Sequence, residues 1–163
     1  MTVEGELLRL DDAVRAVLAR PDFAAQVERL ARELKSSSEP FTWTALALSE
    51  LPTLPPAIRS GWIFVLRADA GSGAHFHPNS IQHMAMVRGR GDSVVGGQRR
   101  PMLGFDAPAP AAERWHVIPQ RVPHEFFPAG EPMVVVSFHT CSPEELEEVA
   151  CGSGASRHYE LPR

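Results

Sequence analysis

Residues 71–89, GSGAHFHPNSIQHMAMVRG, are the stretch that decides the fold of this chain. A glycine-rich turn opens it, and His75 and His77 follow two positions apart. In a β-strand, residues i and i+2 point to the same face, so the two imidazoles can converge on one ion. Imidazole nitrogen suits zinc, iron, copper and nickel. The stretch therefore predicts a strand that carries two metal ligands.

A second segment, Pro119-Gln120-Arg121-Val122-Pro123-His124, supplies a further histidine. Together with Gln82 and Gly89, the two segments resemble the two-part histidine signature of the cupin superfamily, and the resemblance covers residues 60–140. The signature has a glutamate where this chain has Gln82 and a second-motif glycine where it has Arg121. Its first glycine is shifted here to Gly71.

The resemblance implies a mainly β protein with a cupin barrel, that is, a double-stranded β-helix or small jelly roll. It also implies one divalent metal ion inside the barrel, held by His75, His77, His124 and Gln82. Glutamine is a neutral and weaker oxygen ligand than glutamate. A neutral set of ligands leaves a bound ion more electrophilic.

His83 is an alternative to Gln82, because the loop before it breaks the strand register that starts at His77. The spacing to Gly89 favours Gln82. If Gln82 faces inward, strand alternation turns His83 outward, towards a subunit interface in one interpretation. The predicted substrate-binding residues are Met84, Met86, Phe126, His139 and Trp62.

The rest of the chain predicts helices at both ends. We expect a first helix capped by Asp11 or Asp12 and a second that starts near Pro21. Short strands should fill residues 41–141, at 41–46, 62–66, 81–87, 93–95, 115–118 and 133–138. The run Ser142-Pro143-Glu144-Glu145 is typical of a helix start, with an irregular tail from Gly152. We predict one domain: a helical segment (1–40) packed on the barrel, the barrel (41–141), and a C-terminal helix and tail (142–163).

Composition excludes several classes of function. The chain has 163 residues and a formal net charge of −4, which argues against nucleic-acid binding. No signal peptide and no run of about 18 apolar residues is present, so a membrane partner is not expected. Reduced thiols at Cys141 and Cys151 and a cytoplasmic location are the default expectation.

The predicted function is that of a metalloenzyme that acts on a small organic molecule, with zinc or iron as the preferred ion and manganese or nickel as alternatives. Two chemistries stay open: non-haem iron dioxygenation and a zinc-dependent transformation. The runs His77–Gln82 and Val134–Thr140, with the glutamates after them, resemble the cupin module of hydrazine synthetases, which implies zinc-assisted N–N bond formation and an amino-acid-activating partner protein. A non-catalytic metal- or ligand-binding cupin is a further alternative. We expect a homodimer, because cupins often pair through their sheets and terminal segments.

Overall fold

The computed structural model describes residues 2–159, and within them the chain forms three helices and eleven strands. The helices are α1 (Val3–Leu18), α2 (Phe23–Lys35) and α3 (Ala111–Arg114), with a 3-10 turn at Leu48–Glu50. The strands are β1 (Phe41–Ala45), β2 (Ser60–Leu66), β3 (His75–Phe76), β4 (Gln82–Arg88), β5 (Gly91–Val95), β6 (Gln98–Pro101), β7 (Trp115–Ile118), β8 (His124–Pro128), β9 (Met133–His139), β10 (Glu147–Ala150) and β11 (Ser156–His158).

The strands form two antiparallel sheets. Sheet A has the order β1-β2-β9-β4-β7, and sheet B has the order β11-β10-β3-β8-β5-β6. Strands β2 and β9 lie at the centre of sheet A and are buried along their whole length. They are buried on both faces because α1 and α2 cover the outer face of sheet A while sheet B covers part of the inner one.

Alternation along β2 divides the core into two layers. Ile63 and Val65 belong to the cluster that contains the helices, whereas Trp62, Phe64 and Leu66 belong to the cluster between the sheets. A continuous apolar run is thus required in a strand that is covered on both sides. The mainly β fold expected from the sequence is confirmed, and its strands form two antiparallel sheets.

The first helix begins earlier than the sequence predicts. Thr2, not Asp11 or Asp12, is the cap, and its hydroxyl accepts a hydrogen bond from the backbone N–H of Gly5 at 3.1 Å. Asp11 lies inside α1 and is fully buried, where its carboxylate pairs with Arg114 at 2.6 Å. The prediction was wrong because an acidic residue that is paired in the core has the same sequence appearance as a helix cap.

The C-terminal helix predicted from Ser142 is also wrong. Ser142 does make the capping contact to the Glu145 carboxylate, at 2.9 Å, but only a turn follows. The chain then extends as β10, which pairs with β3 on one side and β11 on the other. The edge of β3 offers unpaired backbone groups, and pairing with them outweighs the local capping signal. The tail expected to be irregular contains β11.

Within residues 2–159, no helix is long and apolar enough to cross a lipid bilayer.

Candidate metal centre

Three histidines meet on the inner face of sheet B. His75 on β3 and His124 at the start of β8 are directly opposed across the strand pair. His77 is the residue immediately after β3. Their ring centroids are 4.4 Å (His75–His124), 5.3 Å (His75–His77) and 5.3 Å (His77–His124) apart. All three are buried, and one nitrogen from each lies within 4.8 Å of the other two.

A tight turn places His124 beside His77. Arg121 has a positive φ of 65°, and its backbone N–H donates to the His77 carbonyl oxygen at 2.9 Å. A residue with a side chain adopts this left-handed region at a small energetic penalty, which is why glycine is the usual choice. Arg121 therefore keeps the backbone conformation of the signature glycine that it replaces.

The backbone fixes which nitrogen of each histidine can bind a metal. Nδ1 of His75 lies 2.8 Å from the Gly73 carbonyl oxygen, Nδ1 of His77 lies 2.7 Å from that of Glu147, and Nδ1 of His124 lies 3.0 Å from that of Val122. A carbonyl oxygen only accepts hydrogen bonds, so each Nδ1 carries the proton. Each Nε2 then keeps a free lone pair, as in histidines that ligate metals.

Two observations test whether this site suits a metal ion. Nε2 of His124 is buried and has no hydrogen-bond partner among the described residues. A buried polar atom without a partner is unusual and requires an explanation, such as a missing ion or water. Burial and the neighbouring His75 lower the pKa of His77 to about 4, and burial likewise lowers the pKa of His124. Neutral imidazoles are the form that binds metal, so the three residues fit a divalent ion.

Gln82 reaches the site from the opposite sheet. It starts β4 on sheet A, is buried, and borders the same internal cavity as His75. His83 lies on the other face of β4, where burial lowers its pKa and the nearby Glu6 of α1 partly offsets that shift. The structure thus brings Gln82, and not His83, to the cavity.

A chain of hydrogen bonds orients the Gln82 amide. Ser80 Oγ donates to the Ile81 carbonyl oxygen, so it accepts from Nδ1 of His139, 3.1 Å away. Nε2 of His139 then accepts from Ser137 Oγ at 3.0 Å, and Ser137 Oγ accepts from Nε2 of Gln82 at 3.1 Å. This sequence of donors leaves Oε1 of Gln82 buried and without a partner among the described residues. Oε1 is therefore free to bind an ion, a water molecule or a substrate.

The predicted pocket residues have different surroundings in the structure. Met84 and Phe126 line the cavity, whereas Trp62 and Met86 are buried in the surrounding core cluster without lining it. His139 is fully buried, and its two nitrogens are both engaged by serines. The structure therefore places His139 behind Gln82, as a residue that orients it.

The cavity itself is small, at about 30 Å³. A water molecule needs roughly 10–15 Å³ on this scale, so the space holds one or two waters. Its remaining walls are Phe41, Phe64, Leu66, Ser72, Val135 and Tyr159. Tyr159 closes it by packing its ring against those of Trp62 and Phe64 at 5.5 and 5.4 Å. A substrate with several heavy atoms requires these side chains to move.

Sequence reasoning missed one acidic residue at the site, Glu148 on β10. Oε2 of Glu148 lies 3.8 Å from Nε2 of His75. Arg157 donates to Oε1 at 3.1 Å, and the Tyr159 hydroxyl donates to Oε2. The signal in the sequence was the alternation of Leu146 and Glu148, which is legible only if the segment is taken as a strand. Because the Ser142 capping motif predicted a helix, these residues were assigned to the wrong element.

Comparisons with known proteins support the fold. No protein-family model matches the chain, and no curated protein is similar to it in sequence. Among solved structures, salicylate 1,2-dioxygenase from Pseudaminobacter salicylatoxidans superposes with a TM-score of 0.55 at 14% identity, over 74% of this chain and 34% of that one. The coconut allergen cocosin superposes with a TM-score of 0.52 at 18% identity, over 70% of this chain and 29% of that one.

These similarities define the class of fold. The chain has the cupin fold, as the histidine signature predicts. It spans about a third of the length of these two solved structures. One is named as a dioxygenase and the other as an allergen, so the shared fold does not determine a reaction. The function has to be argued from the three histidines and the residues around them.

Proposed function

We propose that this chain is a metal-dependent cupin enzyme that acts on a small organic substrate, with one divalent ion held by His75, His77 and His124. The observation that carries the proposal is the convergence of three buried imidazoles whose Nδ1 atoms all lie within hydrogen-bond distance of backbone carbonyl oxygens. A buried group of three imidazoles has no evident structural purpose without an ion. Three protein ligands also leave coordination positions for a substrate.

The side chains around the three histidines have separate roles in this proposal. An ion bound by three imidazoles supplies Lewis acidity, and iron adds oxygen chemistry. Gln82 presents Oε1 as an acceptor for a substrate N–H or O–H, or as a further ligand. Met84 and Phe126 form apolar walls that exclude water and strengthen electrostatic interactions in the site.

Iron and zinc lead to different reactions, and both stay predictions. Iron favours dioxygenation of the substrate. Zinc favours the alternative reaction, N–N bond formation or rearrangement of a hydroxylated amino acid, with an amino-acid-activating partner protein as in hydrazine synthetases. Manganese and nickel also suit imidazole ligands. The third interpretation, a cupin that binds a ligand without turnover, predicts a bound metal but no consumed substrate.

Elemental analysis of untagged protein tests the proposal. We expect about one equivalent of iron or zinc in the unmodified chain and loss of that metal in His124→Ala. The matched control is His158→Ala, which removes an exposed histidine on β11 and should keep the metal. Metal retained in His124→Ala, or absent from the unmodified chain in buffer containing zinc and iron salts, contradicts the proposal.

The result also directs the search for a substrate. Iron leads to oxygen-uptake assays with thiols, diketones and aromatic diols, and zinc leads to hydroxylated amino acids. The homodimer stays a prediction, and light scattering tests it against the 17.9 kDa mass of one chain.

A further inference from the structure

We propose that Glu148 acts as a carboxylate beside the metal ligand His75 and supplies, from β10, the negative charge that Gln82 lacks. The inference rests on the proposed metal site and adds a residue to it. In the cupin signature the acidic residue follows the His-x-His pair on the next strand. In this chain the acidic residue comes from β10, which pairs with β3 on the side opposite β8.

The position of Glu148 relative to His75 is the first argument. Oε2 of Glu148 lies 3.8 Å from Nε2 of His75. Nδ1 of His75 lies 2.8 Å from the Gly73 carbonyl oxygen, so Nε2 is the nitrogen left to face Glu148. A divalent ion bound by Nε2 of His75 would lie close to the Glu148 carboxylate, and the attraction between opposite charges at short range favours binding.

The burial of Glu148 is the second argument. Glu148 is 8% exposed. Hydrogen bonds and positive charge must offset the free energy that burial of a carboxylate costs. Arg157 provides one positive charge, but it also pairs with Glu39 at 3.1 Å. Glu39, Arg157 and Glu148 together carry one net negative charge, and Glu148 is the buried member. A divalent ion beside His75 balances that excess.

The remaining hydrogen-bonding capacity of Glu148 is the third argument. Arg157 uses one lone pair of Oε1, and the Tyr159 hydroxyl uses one of Oε2. A carboxylate has about four acceptor positions, so each oxygen can accept one more hydrogen bond. Glu148 and His75 also line a groove of about 290 Å³, together with Gly73, Ala74 and Ser156. A metal-bound water or substrate hydroxyl can therefore donate to Glu148.

Metal affinity measures this role without any assay of activity. The experiment compares the unmodified chain with Glu148→Gln in competition with a chromophoric chelator for Zn²⁺ and Co²⁺, at about pH 7. Removing a residue that supports metal ligands weakens metal binding by about 10- to 100-fold, and we expect that range for Glu148→Gln. The matched control is Glu144→Gln, which removes an exposed glutamate four residues before Glu148 and should leave affinity within about twofold.

A rescue variant separates charge from structure. Gln82→Glu places a carboxylate at the other side of the site, so the double variant Gln82→Glu/Glu148→Gln should regain most of the lost affinity. A purely structural role of Glu148 predicts instead that Gln82→Glu changes affinity by the same factor in the unmodified chain and in Glu148→Gln. If Glu148→Gln does not fold, Glu148→Asp tests the same point: it keeps the charge, shortens the reach, and should weaken metal binding by less than tenfold but more than about twofold.

The outcomes distinguish the two proposals. If the unmodified chain binds neither Zn²⁺ nor Co²⁺, both proposals fail. If the chain binds metal and His124→Ala does not, the metal site stands. Unchanged affinity in Glu148→Gln, or a gain in affinity from Gln82→Glu that is no larger in Glu148→Gln than in the unmodified chain, then overturns the role of Glu148 alone.

Discussion

The orientation of the Gln82 amide depends on Ser137. Ser137 Oγ is the shared partner of Gln82 Nε2 at 3.1 Å and of His139 Nε2 at 3.0 Å, and all three residues are buried. A single hydroxyl thus fixes which way a potential metal or substrate contact points. Strand alternation explains the arrangement, because Ser137 pairs with Met84 and His139 pairs with Gln82 across β9 and β4.

Replacing Ser137 by alanine should therefore destabilise the chain and loosen the site. The change leaves Gln82 Nε2 and His139 Nε2 without a partner in the core, and each unsatisfied buried group costs about 1–3 kcal/mol. We expect the free energy of unfolding to fall by about 1–3 kcal/mol for each of the two groups. Urea denaturation of metal-free protein measures this loss. Ser153→Ala is the control, because its hydroxyl is on an exposed turn. Equal midpoints for the two variants contradict the proposed chain of hydrogen bonds.

At the same scale, the sequence predicts the histidines better than it predicts their surroundings. His75 and His77 were legible from their spacing, and His124 from the second motif. Glu148 was not, because its role depends on β10 lying beside β3, which is a long-range contact. The Nδ1 partners Gly73, Val122 and Glu147 are backbone carbonyl groups, and a sequence has no signature for them.

Among the elements, the strands of sheet A were the easiest to predict and the terminal segments were the hardest. The expected strands at 62–66, 115–118 and 133–138 agree closely with β2, β7 and β9. These segments have continuous or alternating apolar residues whose pattern survives folding. The segment after Ser142 has a good local capping motif, and the contact with β3 overrides it. Local signals fail where an element is determined by its neighbours.

The attachment of α1 to the barrel depends on Asp11. Its carboxylate accepts from Arg114 Nη2 at 2.6 Å and from Trp115 Nε1 at 2.7 Å, and it is fully buried. Asp11→Ala should lower the free energy of unfolding by about 3–5 kcal/mol, because it leaves a buried arginine without its charge partner. Among the residues that the structure describes, the adjacent Asp12 forms its ion pair with the exposed Arg15, at 2.9 Å. Asp12→Ala should therefore change stability by no more than about 0.5 kcal/mol.

Thermal and urea unfolding of the two variants measure the difference. A loss in Asp11→Ala as small as that in Asp12→Ala would mean that α1 is not held by this ion pair.

Across the whole molecule, the layers proceed from helices to sheet A, to the inner core, to sheet B. The proposed metal-binding residues are buried between the two sheets, with the histidines on the sheet B side and Gln82 on sheet A. An ion held there would join the two sheets and couple metal binding to the stability of the whole barrel. Metal-loaded protein should unfold at a higher temperature than metal-free protein.

The buried histidines make the metal-free barrel sensitive to acid. Burial and then the nearby Arg100 lower the pKa of His116 to about 4 from a usual 6.5, and burial also lowers the pKa of His83, His124 and His139. Below about pH 6.5 the unfolded chain takes up protons that the folded chain excludes. Stability is therefore full above that pH and is lost progressively as the pH falls towards 4, by on the order of 3 kcal/mol for His116 alone.

Urea unfolding of metal-free protein between about pH 7.5 and pH 4.5 measures this loss. The comparison variant is His116→Phe, which cannot titrate and should show a shallower decline, although it leaves Ser93 Oγ without the partner that lies 2.7 Å away. His158→Phe removes an exposed histidine and should keep the full slope. A free energy of unfolding that stays constant down to pH 4.5 would show that these imidazoles accept protons in the folded barrel. It would also mean that water reaches the site freely.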